Sequence, residues 1–94
     1  MNAADDLAAL RRALDEVDAA LRAGVDHRLA LARAAAGPKE HLGLPVLQPQ
    51  REAEVRAAWE AHAHAAGWPP GLATRLVEAL LEAGRTAQGD GDRP

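Results

Sequence analysis

Apolar residues at positions 7, 10, 14, 17, 21, 25, 29 and 32 recur three and four apart, with Arg, Asp and Glu between them. No proline interrupts the run before Gly37-Pro38. This periodicity lays one apolar stripe along a single helix. Asp5 and Asp6 suit its start, by capping and by the helix dipole, and Gly37-Pro38 is expected to stop it. Such a helix runs over roughly 32 residues and about 48 Å. A compact chain of this length has a radius of gyration of only about 12 Å. The helix therefore projects beyond its own chain, and its stripe needs another copy to cover it. The expectation is a homodimer of intertwined helices.

The remainder fits an all-α fold with three helices per chain. Hydrophobic residues make up 48%, but about a quarter of the chain is alanine, and Trp59 and Trp68 are the two aromatic residues. Alanine buries little area, so the core must come from Leu and Val in close-packed helices. Pro49 is placed for the first turn of a second helix, where its missing N–H costs nothing. Val55, Trp59 and His62 then share a face with Ala58 and Ala66. The segment 67–71 breaks the chain, and a third helix carries Leu76, Val77, Leu80, Leu81 and Gly84 before fraying after Gln88. The domain is read as 5–88, with 89–94 as a disordered tail.

Several function classes are disfavoured. The chain has no cysteine, so a disulfide framework and cysteine-based metal or nucleophile chemistry are excluded. A formal net charge of −3 argues against nucleic-acid binding. No segment approaches transmembrane length, the acidic N-terminus does not resemble a signal peptide, and a cytoplasmic location is the default. His62 and His64 stand two apart, which turns them in different directions on a helix, so no metal site is expected.

The functional signal lies in polar residues at apolar places. Arg28 falls one heptad after Leu21, where it either snorkels to water or serves as an anion receptor inside the bundle. Arg11 flanks the stripe, either solvated or facing a partner's site. Glu52 stands one heptad before Trp59 and shares a face with Val55, although a first-turn glutamate also suits the helix dipole. Arg51 beside it is a surface residue or a carboxylate partner. Gln88 follows Leu81 by seven and Gly84 by four. Gly84 either leaves space for a ligand or lets helices approach closely. Lys39, read as lying in a loop, has the weakest local argument, since such lysines are mostly solvated.

Taken as an ordered set, these residues resemble the AroQ class of chorismate mutases. Leu10-Arg11 followed by Leu14-Asp15-Glu16-Val17-Asp18 is similar to the family's opening L-R-x-x-[IL]-D-x-[IL]-D. Arg28 with Leu29-Ala30-Leu31-Ala32, and Lys39 after it, come next. The stretch from Pro45 through Gln48-Pro49-Gln50-Arg51-Glu52 to Val55 looks like P-[VI]-x-D-P-x-R-E-x-x-[VL]. Thr74-Arg75-Leu76 through Gln88 is similar to the last helix. The resemblance covers residues 7 to 88.

It implies an intertwined dimer of an isomerase of aromatic amino acid biosynthesis on the shikimate pathway, converting chorismate to prephenate with no cofactor. Arg28, with Arg11 from the partner chain, would hold the two carboxylates. Lys39 and Gln88 would donate to the ether oxygen, Glu52 would accept from the ring hydroxyl, and Arg51 would support the network. Gln48 stands where the family usually has Asp, Gly84 replaces a commoner polar residue near a substrate carboxylate, and residues 24–27 replace a Leu-rich approach to Arg28. Relatives act on 4-amino-4-deoxychorismate or eliminate pyruvate from isochorismate, so an aminodeoxychorismate mutase and an isochorismate pyruvate lyase are the alternative enzymes. A non-catalytic helical dimerisation module is the alternative of a different class.

Overall fold

The structure, a computed structural model, describes residues 2–90. Three α-helices, α1 (Ala3–His41), α2 (Pro49–Ala66) and α3 (Leu72–Arg85), lead into a π-helical turn at Thr86–Asp90, and no strand occurs among the described residues. The order of packing is α1, α3, α2: α3 contacts both other helices, and the π turn packs back on α1. The shape is elongated, 61 × 28 × 20 Å with a radius of gyration of 17.6 Å.

α1 is longer at both ends than its apolar stripe foretells. Its N-cap is Asn2, whose Oδ1 accepts from the Asp5 N–H at 2.8 Å, while Asp5 and Asp6 occupy the first turn and face the positive end of the dipole. Gly37-Pro38 does not stop it, contrary to the expectation. Pro38 removes one hydrogen bond near the helix end, and the turn beyond it is closed by other means. The Leu44 N–H donates to Lys39 O at 2.8 Å and the Gly43 N–H to Glu40 O at 3.0 Å, the pairing of a Schellman cap. Gly43, with φ +71°, supplies the left-handed residue that this cap needs.

α2 begins on Pro49 as expected, with Gln48 preceding it and giving no side-chain cap. Its inward face differs from the expected one. Glu52 and Ala63 are buried and Val55 and Trp59 half-buried, whereas Ala58, His62 and Ala66 are exposed. Trp68 from the α2–α3 turn meets Trp59 edge-on, ring centroids 6.3 Å apart, and His62 at 5.4 Å.

The buried apolar core consists of Ala63, Ala73, Val77 and Leu81. α1 contributes no fully buried residue. Along its outer two-thirds Leu10, Leu14, Val17 and Leu21 remain between 56% and 62% exposed. Val17, Leu21 and Val25 form one wall of an open apolar groove whose other wall is Trp59 and Leu80.

Candidate active site

A cavity of about 310 Å³ opens where the C-terminal half of α1, the start of α2 and the end of α3 converge. Seven of the eight residues singled out from the sequence line it: Arg28, Lys39, Gln48, Arg51, Glu52, Gly84 and Gln88. Each arrives for a local reason. The extension of α1 past Pro38 places Lys39 in its last helical turn, so this lysine is fixed by the helix rather than carried on a loop. Pro49 starts α2 in time for Glu52 to turn inward, leaving it 7% exposed. The π turn carries Gln88 back against α1.

Lys39 and Gln88 form one unit. Lys39 Nζ donates to Gln88 Oε1 at 2.6 Å and to Val46 O at 2.8 Å. An ammonium only donates, so the side-chain carbonyl of Gln88 faces it and the amide NH₂ is turned away. Lys39 keeps one of its three N–H donors free of these two bonds. Arg28 is half-buried and donates from Nη1 to Leu80 O at 3.2 Å. A Cβ built on Gly84 would meet Arg28 Nη1 at 3.6 Å and Ala32 Cβ at 3.8 Å, ordinary contact distances. Gly84 is buried where α3 approaches α1, and at these distances the helix approach does not by itself require a glycine.

The other positions are looser. Gln48 Nε2 donates to Pro45 O at 3.2 Å, which fastens the loop before α2. Arg51 is 72% exposed at its side chain and lies 3.7 Å from Glu54. Arg11 stands apart. It lies exposed on α1, about 26 Å up the helix from Arg28 at about 1.5 Å per residue. Within one chain it cannot reach the cavity.

Two cations escaped the sequence reading. Arg85 Nη1 lies 2.7 Å from both carboxylate oxygens of Glu52, and Arg56 Nη2 donates to Glu52 Oε1 at 3.2 Å. Arg56 is held in turn by Glu78, with Nη2 3.0 Å from Oε1 and Nε on Oε2. That contact holds the Arg56 guanidinium above its ordinary pKa and the Glu78 carboxyl below its own, chiefly through their mutual hydrogen bond. Arg56 was legible, since it follows Glu52 by four residues on a helix. Arg85 adjoins Gly84 on the cavity rim, and nothing in its spacing marks it.

The lining carries four cationic side chains, Arg28, Lys39, Arg51 and Arg85, against one carboxylate, Glu52. It offers no serine, threonine, cysteine or histidine. Such a wall suits a small ligand with more than one carboxylate, which guanidinium and ammonium groups bind by charge-assisted hydrogen bonds. A sequence profile of the family described as chorismate mutase type II matches residues 10–89.

The chain belongs to the chorismate mutase type II family. The match spans α1 from Leu10, all of α2 and α3, and the π turn to Gly89, so it takes in every cavity residue named above. A T-protein of Enterobacter agglomerans is 34% identical over 85 residues, 90% of this chain and 23% of the relative. The chain thus spans about a quarter of the length of that curated relative. No solved structure gives a significant match. Among the described residues, no helix is long and apolar enough to cross a membrane. The all-α architecture of the described residues agrees with the fold that the resemblance implies.

Proposed function

We propose that this chain converts chorismate to prephenate as a homodimer with two equivalent sites, each completed by Arg11 of a second copy. The reaction is a unimolecular rearrangement. The ether C–O bond breaks, a C–C bond forms, and no proton, electron or leaving group is exchanged. Rate must therefore come from holding the reactive diaxial conformer and from stabilising negative charge on the ether oxygen. Even the low end of enzymatic acceleration asks for about 8 kcal/mol.

The convergence of Arg28, Lys39, Glu52 and Gln88 on one cavity carries this reading. Arg28 takes one carboxylate and the second copy's Arg11 the other. The free N–H of Lys39 and the outward NH₂ of Gln88 meet at the ether oxygen. The Lys39–Gln88 bond holds both donors in place before substrate arrives, which is the preorganisation that makes such donors effective. Glu52 accepts from the ring hydroxyl, and Arg51 supplies charge at the mouth.

Three observations support the dimer. The stripe of Leu10, Leu14, Val17 and Leu21 is exposed. The apolar groove beside Trp59 lies open. Arg11 cannot serve the site of its own chain. Incubating purified protein with chorismate, and following its loss together with prephenate formation, tests the function. Turnover at a rate far above the uncatalysed one is expected, and its absence overturns the proposal. A mass by light scattering of one chain rather than two overturns the dimer.

A further inference from the structure

The clamp on Glu52 has a consequence for what the ring end of the site accepts. A lone, buried carboxylate there would attract a cationic substituent, and the fold has instead surrounded it with guanidinium groups. A carboxylate offers about four acceptor positions. Arg85 Nη1 takes one on each oxygen, at 2.7 Å, and Arg56 takes a second on Oε1. One position remains, on Oε2.

The charges also cancel. Glu52 and Glu78 balance Arg85 and Arg56, and these four side chains form one connected set. Arg85 additionally lines the cavity, so its own positive charge faces whatever binds. A ring hydroxyl brings one donor and no charge, which the remaining position satisfies. An ammonium brings three donors and a positive charge into a place with one acceptor and a cation beside it.

We infer that Arg85 is a specificity-determining residue that makes the site select a neutral hydroxyl over an ammonium on the substrate ring. Resting on the mutase reading above, this assigns chorismate over 4-amino-4-deoxychorismate as substrate. Arg56 and Glu78 are positioning residues that act through Glu52.

The experiment measures kcat/KM for chorismate and for 4-amino-4-deoxychorismate with the unaltered protein and with Arg85→Met and Arg85→Lys. The unaltered protein prefers chorismate. Arg85→Met lowers the ratio of the two values by about tenfold or more, equivalent to about 1.4 kcal/mol, while Arg85→Lys, which keeps a cation, retains most of it. A purely structural role for Arg85 would lower both values together and leave the ratio unchanged, which overturns the assignment. So does a preference of the unaltered protein for the amino substrate. If neither compound is turned over, the mutase reading falls separately, and the ratio of the two dissociation constants decides the role of Arg85 in its place. Binding of neither compound overturns both.

Discussion

Mixing two inactive variants restores catalysis if Arg11 serves the site of a second copy. Arg11 and Lys39 lie on the same helix, about 42 Å apart at about 1.5 Å per residue. No side chain spans that distance, so each site needs one chain with an intact Arg11 and another with an intact Lys39. Arg11→Ala removes a charge-assisted carboxylate contact, and Lys39→Ala removes a donor to the reacting oxygen. Loss of a donor at the reacting oxygen lowers kcat by about 10²–10³ and loss of an orienting contact by about 10², so each parent dimer retains about 1% of wild-type activity or less.

Co-expressed equally under two affinity tags, the chains form mixed dimers in about half of all pairs, and each mixed dimer holds one intact site and one doubly damaged site. The unfractionated mixture should recover about a quarter of wild-type turnover, and tag-purified mixed dimers about half. The assay is chorismate consumption at saturating substrate, with the chain ratio checked by mass spectrometry. Purified mixed dimers no more active than the mean of their parents would refute the shared site. Near-wild-type turnover by Arg11→Ala alone would remove Arg11 from it.

Three further outcomes follow from particular contacts. In the Lys39→Ala dimer, kcat should fall about 10²-fold or more with KM changed far less, since the free N–H acts on charge that develops in the transition state; a circular dichroism spectrum matching wild type guards against unfolding, and near-normal kcat would refute the role. Gly43→Ala should destabilise the protein by about 1–2 kcal/mol, because Gly43 holds φ +71° in the cap that closes α1 beyond Pro38; an unchanged or raised midpoint in urea would contradict that left-handed cap. The Glu78 carboxyl is depressed from its ordinary value of 4.5 by Arg56. Its contribution to stability is therefore complete above that value and lost as pH falls through the lower folded one. The stability gap between wild type and Glu78→Gln should be present at pH 7 and close below pH 4.5, and a gap unchanged at pH 3 would show that the ion pair is not its source.

Helix number and kind were legible because the spacings of Leu and Val are long and regular, and Pro49 and Gly67 punctuate them sharply. The end of α1 was not. A proline in a helical pattern reads as a stop, but Gly43, Leu44 and the bonds of Lys39 close another turn beyond it. That same misreading made Lys39 look like a solvated loop residue. The inward turn of Glu52 followed from its heptad relation to Trp59, whereas its partner Arg85 comes from a different helix and left no periodic trace. Ala58 and Ala66 drew the α2 face the wrong way because small residues carry almost no directional signal, and the exposed His62 packs on Trp68 rather than into the core. The four residues 91–94 of the expected tail lie outside the described residues.

The isolated chain's apolar core is Ala63, Ala73, Val77 and Leu81, two of them alanines. Ordering a residue costs about 1–2 kcal/mol in backbone entropy alone, and a buried core of two alanines, one valine and one leucine offsets only part of that. In the proposed dimer, burying the α1 stripe on a second copy adds to this core, which makes folding a second-order process. Stability then obeys mass action: each tenfold dilution removes about 1.4 kcal/mol per dimer. The melting temperature should climb with protein concentration, and specific activity should fall on dilution, even though no residue of the cavity has been touched.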